Sequence, residues 1–152
     1  MFDIRLLPEV PIEKEEGESL MWGHIQIGDF RESFVASLFD WTPETYSQQW
    51  RQAAERLVNG ESKSAFVTSF VPPTDAGHFE WWKCYAVNEV VHVQNQLRFY
   101  EQLASPFHLD SLYDYVTERK TVSEDDGSPI SEWQMPAHWI RDFLIRTARE
   151  GH

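Results

Sequence analysis

Hydrophobic and polar residues alternate through the stretch WGHIQIGDFRESF, residues 22–34, on both sides of Gly28-Asp29. This period of two predicts two antiparallel strands joined by a two-residue turn, with Ile27 opposite Phe30 and Gly23 opposite Phe34. One face of this first hairpin then carries the large apolar residues Met21, Ile25, Ile27, Phe30, Phe34 and Ala36. Such one-sided patterning is typical of an antiparallel sheet with one face in solvent.

A second alternating stretch, FEWWKCYAVNEVVHVQNQLRF (residues 79–99), predicts another hairpin that turns at Asn88-Glu89. Its apolar face carries Trp82, Cys84, Ala86, Val91, Val93 and Leu97. Two large aromatic residues, Trp81 and Tyr85, fall on the other face. They indicate either a binding surface, since tryptophan and tyrosine are enriched among interface anchors, or a second packing layer beneath residues 100–120.

Apolar residues recur at helical spacing in two further segments. In WTPETYSQQWRQAAERLVNG, Thr42 is a good N-cap, Pro43 suits the first turn and Gly60 ends the helix. A final helix is predicted in PAHWIRDFLIRTAREG, and Trp50, Leu57, Phe143 and Leu144 are expected to be buried. With short strands predicted at FDIRLL, SAFVTSFV and ISEWQM, the fold class is α+β: an antiparallel sheet built from β-hairpins with helices packed on one face. A length of 152 residues predicts a single domain over 1–152.

The charge balance changes which partners are plausible. The chain has 13 Lys and Arg against 25 Asp and Glu, a formal charge of −12. Such a surface repels nucleic-acid phosphates and anionic lipid, so direct nucleic-acid and membrane binding are disfavoured and a basic protein partner is favoured. A lone cysteine, Cys84, and the lack of a signal-peptide pattern predict a cytoplasmic protein.

Motifs for catalysis or cofactor binding are missing from the sequence. It contains no GxGxxG, GxxxxGK[ST], GxSxG or HExxH motif, which predicts no cofactor and no enzyme activity. Cys84 on an apolar strand face is expected to be an inert core thiol. The six histidines do not converge in the predicted register, so no metal site is expected.

Two acidic segments are candidates for attracting a basic partner. The first contains Glu13, Glu15, Glu16 and Glu18, and the second contains Glu124, Asp125 and Asp126. The simpler interpretation of both is solvated surface charge. The functional interpretation is that these two segments contact cationic groups on a partner.

The segments LMWGHIQIGDFRESF, WTPETYSQQWRQAAERL, FEWWKCYAVNEVVHVQNQL and ISEW, in this order, resemble the immunity proteins of bacterial contact-dependent growth inhibition (CDI) and related polymorphic-toxin systems. The resemblance spans about residues 1–145. It implies a protein that binds and neutralises the C-terminal toxin domain of a sibling cell's effector in a one-to-one complex. Such toxin domains are frequently basic nucleases, often acting on tRNA. The resemblance transfers no catalytic residues, so toxin contacts at the two acidic segments, Trp81 and Tyr85 are inferred from charge and predicted exposure.

Three alternatives stay open at the level of sequence. Inhibition can occur at the toxin's active site or at an exosite. The chain can instead be a small acidic enzyme with an unfamiliar carboxylate or histidine site. It can also be an interaction subunit of another bacterial assembly.

Overall fold

A computed structural model describes residues 1–12, 19–75 and 77–150 of the chain. The strands are β1 (Phe2–Leu6), β2 (Leu20–Ile27), β3 (Phe30–Ser37), β4 (Lys63–Phe70), β5 (His78–Val87), β6 (Val90–Phe99) and β7 (Trp133–Pro136). The helices are α1 (Pro43–Val58) and α2 (His138–Arg149), with short 3₁₀ segments at Pro73–Asp75, Tyr100–Gln102 and Leu109–Tyr115. The predicted α+β class is confirmed.

The strands form two antiparallel sheets, a three-stranded sheet in the order β1-β2-β3 and a four-stranded sheet in the order β4-β5-β6-β7. Both predicted hairpin registers are confirmed, with Ile27 opposite Phe30 and Cys84 opposite Val93. The expectation that the two hairpins share one sheet is wrong. An alternating pattern identifies the apolar face of each hairpin, but that face can be buried equally well against a second sheet.

Both hairpin turns use a residue in the left-handed region of the backbone. Gly28 has φ +62° and Asn88 has φ +56°. Glycine has no Cβ to clash there, and asparagine tolerates this conformation better than most side chains. The two turns therefore form at the positions that the sequence predicts.

Aromatic rings fill the core where the two sheets and the helices meet. The ring of Phe2 lies 5.1 Å from that of Phe66 and 5.3 Å from that of Phe143, centroid to centroid. On the other side of the core, Phe30 stacks on Trp133 at 4.3 Å. Trp50 and Phe143 are buried as predicted, whereas Leu57 and Leu144 are only partly buried at the edge of the core.

Helix α1 covers the outer edge of β4 with polar side chains. The Gln49 amide donates to the carbonyl of Ala65 (2.7 Å) and accepts from the backbone N–H of Val67 (2.8 Å). The indole of Trp50 donates to the carbonyl of Val67 at 2.7 Å, and the Tyr46 hydroxyl accepts from the N–H of Phe70 at 2.9 Å. These side chains take the place of a neighbouring strand, so the sheet edge is closed to further pairing.

Residues 100–132 cover the face of the four-stranded sheet that carries Trp81 and Tyr85. The Tyr85 hydroxyl donates to the carbonyl of Thr117 at 2.9 Å, and Arg98 donates to the carbonyl of Tyr115 at 3.1 Å. Trp81 is 0% exposed and Tyr85 is 4% exposed. The prediction that these two aromatics are exposed is therefore wrong, and the alternative, a second packing layer beneath this segment, is confirmed.

Candidate interaction surface

The acidic tip at Glu124, Asp125 and Asp126 is exposed and held in shape by local hydrogen bonds. Lys120 forms an ion pair with Glu124, which lowers the pKa of that carboxyl group. Asp126 accepts hydrogen bonds from the N–H and hydroxyl of Ser128 at 2.9 and 2.6 Å, which lower its pKa. Glu124 and Asp126 therefore present ionised carboxylates to solvent, and Lys120 already neutralises part of the charge of Glu124. The other acidic segment, with Glu13, Glu15, Glu16 and Glu18, lies outside the described residues.

The tip is anchored to β6 through the carboxylate of Glu132. Both oxygens of Glu132 accept from the Arg119 guanidinium, at 2.6 and 2.8 Å. Gln94 donates to Glu132 at 2.8 Å and to the carbonyl of Lys120 at 2.8 Å, while His92 lies 3.2 Å from Glu132. The hydrogen bonds from Arg119 are the main reason that the pKa of Glu132 falls to about 2. A bidentate pair of this kind fixes the loop in one orientation on the sheet.

A second exposed surface, which we call the acidic–aromatic face, lies at the opposite end of β6 from its hairpin turn. Its members are large apolar or aromatic residues and two carboxylates on or beside strands β3, β5 and β6: Glu32, Phe39, His78, Glu80, Leu97 and Phe99. Phe39 is 64% exposed, Leu97 is 46% exposed and Phe99 is 39% exposed. The sequence pattern did not predict this face. Leu97 was expected on the apolar face of the second hairpin, because alternation shows which way a side chain points but not whether anything covers it.

Contacts along β5 and β6 connect the members of the acidic–aromatic face. Glu80 is directly opposite Leu97, and His78 is directly opposite Phe99 with their rings 5.8 Å apart. A recess of about 320 Å³ borders the face and is lined by both polar and apolar side chains: Ser19, Leu20, Ser37, Phe39, Ser69, Val71 and His78. The face therefore combines exposed apolar surface, a recess and negative charge.

A larger groove, of about 630 Å³, runs between β1 and the two helices. The charges at its rim are largely compensated, because Asp3 is held by Arg5 at 2.6 Å and by Arg146 at 3.1 Å. Burial favours a higher pKa for Asp3, but the hydrogen bonds and positive charges of the two arginines outweigh it and lower the pKa. This ion-pair cluster links β1 to α2 and is part of the framework.

Neither a metal-ligand cluster nor a reactive thiol is found among residues 1–12, 19–75 and 77–150. No group of three or more histidine, cysteine, aspartate and glutamate side chains there is placed to hold a metal ion. Cys84 is fully buried, and burial raises the pKa of its thiol, so it stays protonated. Within the same residues, neither helix has the length and hydropathy needed to cross a membrane.

A family model described as the CdiI N-terminal domain matches residues 36–143. The chain belongs to the CdiI family. These are immunity proteins of contact-dependent growth inhibition, so the resemblance noted in the sequence is confirmed. The matched range contains the acidic tip and all of the acidic–aromatic face except Glu32.

Two individual proteins support the CdiI assignment over nearly the full chain. The immunity protein CdiI of Enterobacter cloacae subsp. cloacae is 27% identical over 128 residues, covering 84% of this chain and 87% of the relative. A solved structure, the CdiA-CT/CdiI toxin and immunity complex from Enterobacter cloacae, contains a chain that matches with a TM-score of 0.84 and 26% identity. That match covers 98% of this chain and 99% of the other.

Proposed function

We propose that this protein binds the C-terminal toxin domain of a CDI effector in the cytoplasm and neutralises it by forming a one-to-one complex, without any catalysis of its own. The observation that carries the proposal is the structural match over 98% of the chain to a chain from a toxin and immunity complex. Similarity over nearly the full length supports a shared role because the surfaces available for binding are built on the same framework.

We further propose that the toxin domain is a basic nuclease, which acts on tRNA or another RNA. The formal charge of −12 supports this partner, because carboxylates can form ion pairs with the Lys and Arg side chains that a nuclease uses to hold RNA phosphates. Binding over those side chains excludes the substrate directly. Binding at an exosite instead keeps the toxin from completing its active site.

The acidic tip is proposed to act on the rate of association. Its three carboxylates are exposed, and charges at the surface of a complex act mainly by steering encounter. Reversal of Glu124, Asp125 and Asp126 to lysine should slow association with the toxin domain more than it speeds dissociation, and the effect should shrink as salt rises. Reversal of Glu13, Glu15, Glu16 and Glu18 tests the other proposed acidic contact in the same way.

The experiment is co-expression with the toxin domain encoded immediately upstream, followed by kinetic binding measurements. A complex of nanomolar affinity, about −12 kcal/mol, is expected, because a small free fraction of a nuclease is enough to kill. A matched control reverses three exposed acidic residues elsewhere, so that the net charge changes equally: Glu101, Asp110 and Asp114. If both triple reversals slow association equally, net charge and not the tip is responsible. If no complex forms with the wild-type chain, the proposed function is wrong.

A further inference from the structure

The end of β6 extends beyond the part of the sheet that the fold covers. Residues 91, 93, 95, 97 and 99 point to the same side of this strand because side chains alternate. Val91 and Val93 are buried in the core, whereas Asn95, Leu97 and Phe99 are exposed. On this side of β6 packing therefore stops after Val93, and the apolar side chains of Leu97 and Phe99 are left uncovered by the fold.

The two carboxylates of the acidic–aromatic face are close to each other and are not neutralised. The pKa of Glu32 is raised by partial burial and then by the nearby charge of Glu80. Glu80 accepts a hydrogen bond from the Thr68 hydroxyl at 3.0 Å. Among the described side chains, no lysine, arginine or histidine forms an ion pair with either carboxylate. The pair is thus disfavoured in the isolated protein and would gain from a cation supplied from outside.

We infer that the acidic–aromatic face is the surface on which the toxin domain docks, with a basic toxin side chain between Glu32 and Glu80 and an apolar one in the recess beside Phe39. This inference rests on the proposed function and gives it a location. Exposed aromatic residues around a recess are the arrangement in which interface anchors are found. A basic partner is favoured because it supplies the charge that the two carboxylates lack.

The same charges argue against a second copy of this chain as the occupant. A symmetric dimer through this face would bring the same patch of both copies together. Glu32 and Glu80 of each copy would then approach those of the other, adding repulsion to a pair that already repels. The face is therefore suited to a partner of opposite charge.

The test compares two leucines of equal exposure. Leu97, on the face, and Leu109, at the start of a 3₁₀ segment outside it, are each 46% exposed. Leu97→Ser should raise the dissociation rate of the toxin complex at least tenfold, whereas Leu109→Ser should change it less than twofold. Both variants should keep the wild-type unfolding midpoint, because neither leucine is in the core.

A charge variant tests the carboxylate pair independently. Glu32→Gln with Glu80→Gln should raise the dissociation rate at least tenfold, while the unfolding midpoint stays the same or rises because a repulsive pair has been removed. If these carboxylates served only to stabilise the fold, the double substitution would instead lower the unfolding midpoint. If wild type binds the toxin domain and both face variants dissociate at the wild-type rate, the docking inference is wrong and the proposed function stands. Failure of the wild-type chain to bind would overturn the proposed function itself.

Discussion

Replacing Gln49 with leucine removes the polar side chain that closes the edge of β4. The glutamine amide donates a hydrogen bond to the carbonyl of Ala65 at 2.7 Å and accepts one from the N–H of Val67 at 2.8 Å. Leucine is similar in size and suits a helix, so Gln49→Leu preserves packing and helix propensity. The substitution removes these two hydrogen bonds to the strand edge, together with a third in which the amide donates to the Tyr113 hydroxyl at 3.1 Å.

The magnitude follows from the burial of the two backbone groups. Ala65 and Val67 are each 0% exposed, so water cannot replace the lost partners without opening the structure. A buried polar group left unpaired costs about 1–3 kcal/mol, which gives about 2–6 kcal/mol for the two. The added apolar burial of leucine offsets part of this, so we expect a net loss of about 2–4 kcal/mol. The free energy of unfolding of a small domain is about 5–15 kcal/mol in total, so a change of this size is easily measured.

Urea unfolding followed by tryptophan fluorescence measures this loss, and the neighbouring Gln48 provides the control. Gln48 is exposed on the same helix, so Gln48→Leu should change the free energy of unfolding by less than about 0.5 kcal/mol. If the two leucine variants unfold at the same urea concentration with the same slope, the Gln49 amide does not stabilise the edge of β4. A lower midpoint for Gln49→Leu alone is the result that the hydrogen bonds require.

Two further predictions concern charged groups on the covered face of the four-stranded sheet. The Arg119 hydrogen bonds, chiefly, lower the pKa of Glu132 from 4.5 to about 2, so its stabilisation is complete above pH 4.5 and is lost as pH falls towards 2. Glu132→Gln should therefore lower the free energy of unfolding at pH 7 by about 1–3 kcal/mol and make stability less dependent on pH below pH 4.5. Urea titrations at several pH values measure both effects, and an unchanged pH dependence would contradict this prediction. Burial, and then two nearby cations, lower the pKa of Lys83 from 10.5 to about 8, so the folded state is penalised at pH 7 and the penalty disappears between pH 8 and 10.5. Lys83→Met should raise the unfolding free energy at pH 7 by about 1–2 kcal/mol, with no gain near pH 10.5; a loss at pH 7 would show that the ammonium group has a stabilising partner.

Local pattern and local chemistry predicted the hairpins and α1. The two turns need a left-handed residue, and Gly28 and Asn88 supply it. Thr42 caps α1 as predicted, since its hydroxyl accepts from the N–H of Thr45 at 3.2 Å. In each case the deciding interaction spans only a few residues, so it is visible in the sequence.

The cover over the four-stranded sheet was not predictable in the same way. Residues 100–132 show no helical or strand periodicity in their hydrophobic residues. Much of this segment is held to the sheet through its backbone carbonyls, so its attachment does not require a side-chain pattern. Tyr85, Gln94 and Arg98 on the sheet donate to the carbonyls of Thr117, Lys120 and Tyr115. Every residue has the same backbone carbonyl, so the sequence does not show which segment will cover Trp81 and Tyr85. The exposure of Leu97 was missed for the related reason that the cover on its side ends after Val93.

The different kinetic roles proposed for the acidic tip and the acidic–aromatic face correspond to opposite sides of β6. Gln94 donates a hydrogen bond to the carbonyl of Lys120 at the base of the tip, whereas Leu97 points to the other side of the strand. A standard interface buries about 800 Å² on each partner, so a toxin seated over Leu97 and Phe99 need not contact the tip at all. At physiological salt, charges act over about 8 Å, which is enough to steer an approaching basic protein but adds little once it is bound. Tip reversals should then act mainly on association, face variants should act mainly on dissociation, and their effects on affinity should add when both are combined.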